Sequence, residues 1–125
     1  MDGGAETVVP YDLEPQPPAD LDNHRAQDYQ SLLLHCAAVK LLQPRPELAD
    51  KVLATVARWR LTADPRSLAL LDEWQDILTT KQWHRAVAPD ERGNQIRQAS
   101  PMGAVVPEAT RRTILARVRA LKEKR

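Results

Sequence analysis

Apolar residues recur at three- and four-residue steps along most of this chain, the spacing that gathers them on one face of a helix. The first stripe is Tyr29, Leu32, Leu33, Cys36, Val39 and Leu42; it begins at Asp22 or Asn23, and Pro44 and Pro46 end it. Pro46 can itself open the next helix, where its missing N–H leaves nothing unsatisfied. Leu48, Val52, Val56 and Trp59 form that second stripe, which runs to about Leu61. Asp64-Pro65 restarts the pattern, with a carboxylate able to accept from free backbone amides and a proline at the first helical position. Leu68, Leu71, Trp74 and Leu78 follow, widened by Leu70 and Ile77. Thr79 and Thr80 read as a break, with Thr80 the expected cap of a short helix around 81–87 that buries Trp83. Pro89 opens a stretch to about Ala99, anchored by Ile96. Residues 100–106 have no period, and Pro101 and Gly103 mark a loop. Pro107 starts the last helix, with Ile114, Leu115, Val118 and Leu121 inward.

The pattern predicts an all-α fold: a compact bundle of about five or six short helices, neighbours packed as antiparallel hairpins. Leu33, Val52, Val56, Trp59, Leu71, Trp74, Leu115 and Val118 are the expected core. No internal repeat and no long heptad run interrupts this picture. Residues 1–22 stand apart, being rich in acids and proline, and are expected to form a disordered or extended tail before a helical domain at 23–125. Val8, Val9, Tyr11 and Leu13 are the tail's apolar exception, able to lie in a groove of this domain or of a partner.

Charge sharpens that division. The net charge is +1, yet residues 1–22 hold six acids and no Lys or Arg, while residues 107–125 hold seven basic residues against Glu108 and Glu123. Such polarity belongs more often to interaction than to folding. Cys36 is the single cysteine, so no intramolecular disulfide can form. No apolar run approaches the length of a membrane span and the N-terminus lacks a signal-peptide pattern, so a cytoplasmic protein is expected.

Candidate chemistry is sparse. His24, His35, Cys36 and His84 are too scattered for a zinc site, and Cys36 sits in an apolar stripe as a buried thiol. Four glycines supply no phosphate loop. Glu73 and Asp76 share a helix face of the kind that is usually solvated. The three tryptophans are in phase with aliphatic stripes, so core packing is their expected role and partner binding the rarer one. No catalytic residue, metal ligand or cofactor site is expected, and no enzymatic activity. The densest run of hydrogen-bonding groups lies at 91–106, where Arg92, Gln95, Arg97, Gln98, Ser100 and Pro101 are the expected partner-binding residues. On the last helix, Arg111, Arg112, Arg117, Arg119 and Lys122 are the candidates for nucleic-acid contact, although the turn of a helix-turn-helix is absent.

Two stretches together resemble a family of small bacterial proteins. VARWRLTADPRSLALLDEWQDIL (56–78) is similar to its "RW … S … L … EW … IL" helical pair, and RGNQIRQASPMGAVVPEATRRTIL (92–115) to its "R…LRQSSPFAGVL…ER" ending. Met102-Gly103 stands where that ending has an aromatic and a small residue, and the acidic tail is foreign to the shorter members. Members are encoded beside toxin-like genes, including nucleotidyltransferase-type toxins, and are read as antitoxins. The resemblance therefore implies an antitoxin of a bacterial toxin–antitoxin module, neutralising its protein toxin by direct contact and able to bind its own promoter DNA. A small DNA-binding transcriptional regulator using the basic C-terminal helix is the alternative.

Overall fold

The structure, a computed structural model, describes residues 13–124. Among these the chain is all-α: α1 (Asn23–Leu42), α2 (Pro46–Arg60), α3 (Pro65–Thr80), α4 (Trp83–Ala86), α5 (Glu91–Arg97) and α6 (Glu108–Glu123), with a 3-10 turn at Met102–Val105. Their ends follow local chemistry. Asp22 accepts from the Arg25 N–H at 2.8 Å, Asp64 from Ser67 at 2.7 Å and Asp90 from Gly93 at 2.7 Å, each satisfying an amide with no partner inside its helix. Pro46 and Pro65 occupy first turns. Lys81 ends α3 in the left-handed region at φ 59°, its N–H returning to Ile77.

Thr80 does not cap α4, as the threonine pair had suggested. It is the last residue of α3, and its hydroxyl donates back to the Asp76 carbonyl at 2.7 Å. Gln82 precedes α4 instead, without a side-chain cap.

α1 is the central element because it is buried on two sides. One side sets Leu32, Cys36, Val39 and Leu42 against Val52 and Val56 of α2, Leu71, Trp74, Ile77 and Leu78 of α3, and Trp83, Ile96 and Met102 beyond. The other sets Ala26, Tyr29 and Leu33 against Ile114 and Val118 of α6. The apolar stripe of α1 is thus two adjoining stripes serving two clusters.

Two expected core residues lie elsewhere. Trp59 is 42% exposed, and Leu115 is only half-buried beside the groove between α1 and α6. Helical period gives the face a residue occupies, not how far along the helix its neighbours reach. Trp59 sits one residue from the end of α2, where cover runs out. The large loss of stability expected on truncating a fully buried tryptophan therefore belongs to Trp74, which is wholly enclosed.

Residues 13–22 form no helix and lie against α1. Leu13 packs on the main core, Glu14 pairs with Lys40 at 3.4 Å, the Tyr29 hydroxyl donates to the Pro15 carbonyl at 3.0 Å, and Leu21 is buried. The boundary expected at 22 accordingly falls inside packed structure. The expectations for residues 1–12, Val8, Val9 and Tyr11 among them, lie outside the described residues.

One glycine is fixed by packing. A Cβ on Gly93 would sit 2.1 Å from the Ala88 carbonyl oxygen, closer than any contact allows. Alanine for glycine inside a helix ordinarily stabilises by roughly 1 kcal/mol. Gly93→Ala is expected to do the reverse, lowering the thermal midpoint by several degrees because the obstacle is backbone and cannot rotate away. A midpoint at or above wild type in a melt followed by circular dichroism contradicts this.

Candidate functional site

The 91–106 run divides on folding into an inward half and an outward half. Arg97 and Pro101 are buried, and Ser100 is half-buried. The Arg97 guanidinium donates to the Ala86 carbonyl at 3.0 Å and to the Asn94 side-chain oxygen at 2.7 Å. Burial pulls its pKa below the usual arginine range, but a guanidinium stays charged at neutral pH. Pro101 fixes the backbone that leads into the 3-10 turn. These residues, expected at a partner surface, shape the loop from within.

Ser100 meets a residue that sequence had put aside. His35 on α1 is buried, 65 positions away in the chain, with Nε2 2.6 Å from the Ser100 Oγ and Nδ1 2.7 Å from the Ser31 carbonyl. A carbonyl can only accept, so Nδ1 carries the proton and Nε2 accepts from the Ser100 hydroxyl. The same Oγ accepts from the Met102 N–H at 3.0 Å. The imidazole stacks on Trp74, centroids 5.6 Å apart, while the Trp74 indole N–H donates to the Ile96 carbonyl at 2.8 Å. Three side chains thereby tie α1, α3, α5 and the following loop together.

A serine bonded to an imidazole is also the arrangement that activates a nucleophile. Here burial, aided by the nearby Arg97 charge and opposed by the bond to Ser31, lowers the His35 pKa from 6.5 to about 4. A backbone carbonyl, not a carboxylate, orients the ring. So weak a base suits a lock better than a general base.

The outward half is polar. Arg92 reaches Glu73 on α3 and Gln95 on its own helix, while Gln95 and Gln98 line a shallow groove with His24, Asp28, Glu91 and Asn94. Glu73 and Asp76, read from sequence as a solvated face, grip Arg85 at 3.4 and 2.7 Å, Asp76 from an exposed position; Glu73 joins Arg92 as well. Three helices are linked through them.

The five basic residues of α6 differ in their partners. Arg111 donates to the Gly103 carbonyl at 3.1 Å, Arg117 approaches the Tyr29 hydroxyl at 3.5 Å, and Lys122 donates to the Asn23 side chain at 2.8 Å. Arg112 is highly exposed with Glu108 at 3.5 Å, and Arg119 lies along the groove between α1 and α6. Among the described residues no three His, Cys, Asp or Glu side chains gather as a metal-ligand group, and no helix is long and apolar enough to cross a membrane. Two apolar side chains stand out instead: Trp59 and Leu61, the latter 83% exposed, at the turn between α2 and α3. Compared with known protein families, characterised proteins and solved structures, the chain matches none.

The His35 lock sets a pH dependence. The folded pKa lies below the unfolded one, so between them the unfolded chain binds more protons, and stability falls as pH drops from about 6.5 to about 4. The full span is worth about 3 kcal/mol. Denaturant melts at pH 7 and pH 4 should show wild type losing about that much more than His35→Gln, which cannot titrate. Equal losses in the two proteins would exclude the lock.

Proposed function

We propose that this protein acts by binding another protein, as the antitoxin of a bacterial toxin–antitoxin module, and carries out no chemistry of its own. The observation that carries the binding role is the pair Trp59 and Leu61. Both are large apolar side chains exposed at the turn between α2 and α3, and tryptophan is among the side chains enriched at the centres of protein interfaces. The antitoxin assignment rests on the resemblance of 56–78 and 92–115 to that family, and Trp59 falls within the first of those stretches. Direct cover of Trp59 and Leu61 by the toxin in the cytoplasm fits both.

Arg92, Gln95 and Gln98 offer a second, polar contact, with side chains on the surface of a short helix that Asp90 and Gly93 hold in place. Promoter binding through α6 has less support, because Arg111, Arg117 and Lys122 already bond within the chain.

The test joins neutralisation to folding. The product of an adjacent reading frame, toxic when expressed alone, is co-expressed with wild type and with a Trp59→Ser/Leu61→Ser variant. Because both positions are exposed, the variant should melt within a few degrees of wild type. It should bind the toxin roughly 30-fold or more weakly, the effect of losing one interface hot spot. Arg112→Ala/Arg119→Ala should neutralise normally. A folded Trp59→Ser/Leu61→Ser protein that neutralises fully would refute this interface. Loss of function only in the arginine variant, together with salt-dependent DNA binding, would favour the regulator.

A further inference from the structure

A proline-rich chain is held through its carbonyls and side chains, because Pro15, Pro17 and Pro18 have no N–H to give. The helices meet residues 13–15 on those terms, one residue after another. Leu13 packs on the main core, Glu14 pairs with Lys40 of α1 at 3.4 Å, and the Pro15 carbonyl accepts from the Tyr29 hydroxyl at 3.0 Å. Tyr29 is buried, and in its contact with Arg117 at 3.5 Å the hydroxyl is the acceptor. Its proton is therefore committed to a carbonyl lying across α1, and a buried donor without an acceptor is costly. The surface reads an apolar residue, an acid and a proline in succession.

The hold is light. Lys40 and Glu14 are both exposed, and an ion pair in water contributes little. Open clefts flank the segment on either side. One, of about 320 Å³, lies beside Leu13 and Glu14 and is bordered by the half-buried Ala37 and Leu41 and the exposed Pro107. The other, of about 390 Å³, lies beside Gln16 and Pro18, with Pro89 at its edge. Residues 13–18 thus leave room in their own seat.

We infer that this face of α1 is a docking surface for a proline-rich segment of another protein, one carrying an apolar residue, an acid and a proline in that order. Residues 13–18 occupy it in cis until displaced. Charge favours such a segment, since Lys40 and Arg117 border the seat and Glu14 is the acid that answers them. So does stiffness, because a chain with φ fixed at its prolines has less freedom to lose on being held. A tethered segment competes at high effective concentration, so the seat passes to a partner that fills the flanking clefts more fully. The inference stands on the contacts of residues 13–18 and does not depend on the antitoxin reading.

The test uses the full-length protein and a fluorescent peptide with the sequence of residues 13–22. Leu13→Ser/Glu14→Lys disables the cis segment at its two side-chain anchors and leaves α1 unchanged. This variant should bind the peptide saturably, and wild type roughly ten-fold or more weakly, because its own segment competes. Adding Tyr29→Phe to the variant should weaken binding roughly five-fold, the scale of one hydrogen bond. A peptide with serine and lysine at its first two positions should not bind. A cooperatively melting variant that leaves the native peptide unbound into the low millimolar range overturns the inference. If the double variant does not melt cooperatively, Glu14→Lys alone, at an exposed position, takes its place under the same criteria. A concentration-dependent dimer of wild type that Leu13→Ser abolishes also overturns it, since the occupant is then the segment of a second copy.

Discussion

Polar hydrogens inside an apolar core must find acceptors, and this requirement organises the middle of the molecule. The Trp74 indole N–H, the Arg97 guanidinium and the His35 imidazole are all withdrawn from water, and each donates to a backbone carbonyl: Ile96, Ala86 and Ser31. Two of those carbonyls belong to segments other than the donor's own. An unmet donor at such depth would cost about 1–3 kcal/mol, so α5 and the turn before it are held in place by directional bonds as well as by packing. The short elements benefit most. Helices of four and seven residues are far below the length that sustains itself in water, and α4 and α5 persist because Trp83, Ile96 and these bonds anchor them.

The fold was largely legible because its helix ends are written in local chemistry. Asp64-Pro65 and the prolines at 44 and 46 act through their own backbone and need no knowledge of the rest of the chain. The period that carried Leu71, Trp74, Ile114 and Val118 to the interior is equally local. Trp59 and Leu115 went astray because exposure depends on the neighbour, and the neighbour is set by tertiary packing. Thr80 went astray for a related reason. Its hydroxyl can cap a following helix or bond the preceding turn, and the left-handed Lys81 fixes the chain so that only the second is open.

The site was legible as a segment but not as an arrangement. Density of donors at 91–106 singled out this stretch, yet gave no sense of which side chains turn inward. What decides it is the reach of α1: His35 can hold Ser100 only once α1 and α5 are packed together, and no spacing in the chain announces a pair so distant. One signal was available. His35 lies three positions after Leu32 and four before Val39, on the same apolar face, where a histidine needs a partner from elsewhere in the fold.

The turn between α2 and α3 is held by several weak contacts. Arg60 pairs with Asp72 across the hairpin, Asp64 caps α3, and the Leu61 and Thr62 N–H groups bond back to Arg58 and Trp59 at 3.2 and 3.3 Å. None of these is strong alone, and an exposed ion pair contributes only a fraction of a kcal/mol. Together they fix the backbone on both sides of Trp59 and Leu61. Side chains presented from a fixed turn lose little further entropy when a partner covers them, so more of the apolar contact survives as affinity. Elsewhere Glu73 holds Arg85 and Arg92, and Asp76 holds Arg85, so charged groups as well as the core tie α3, α4 and α5 together.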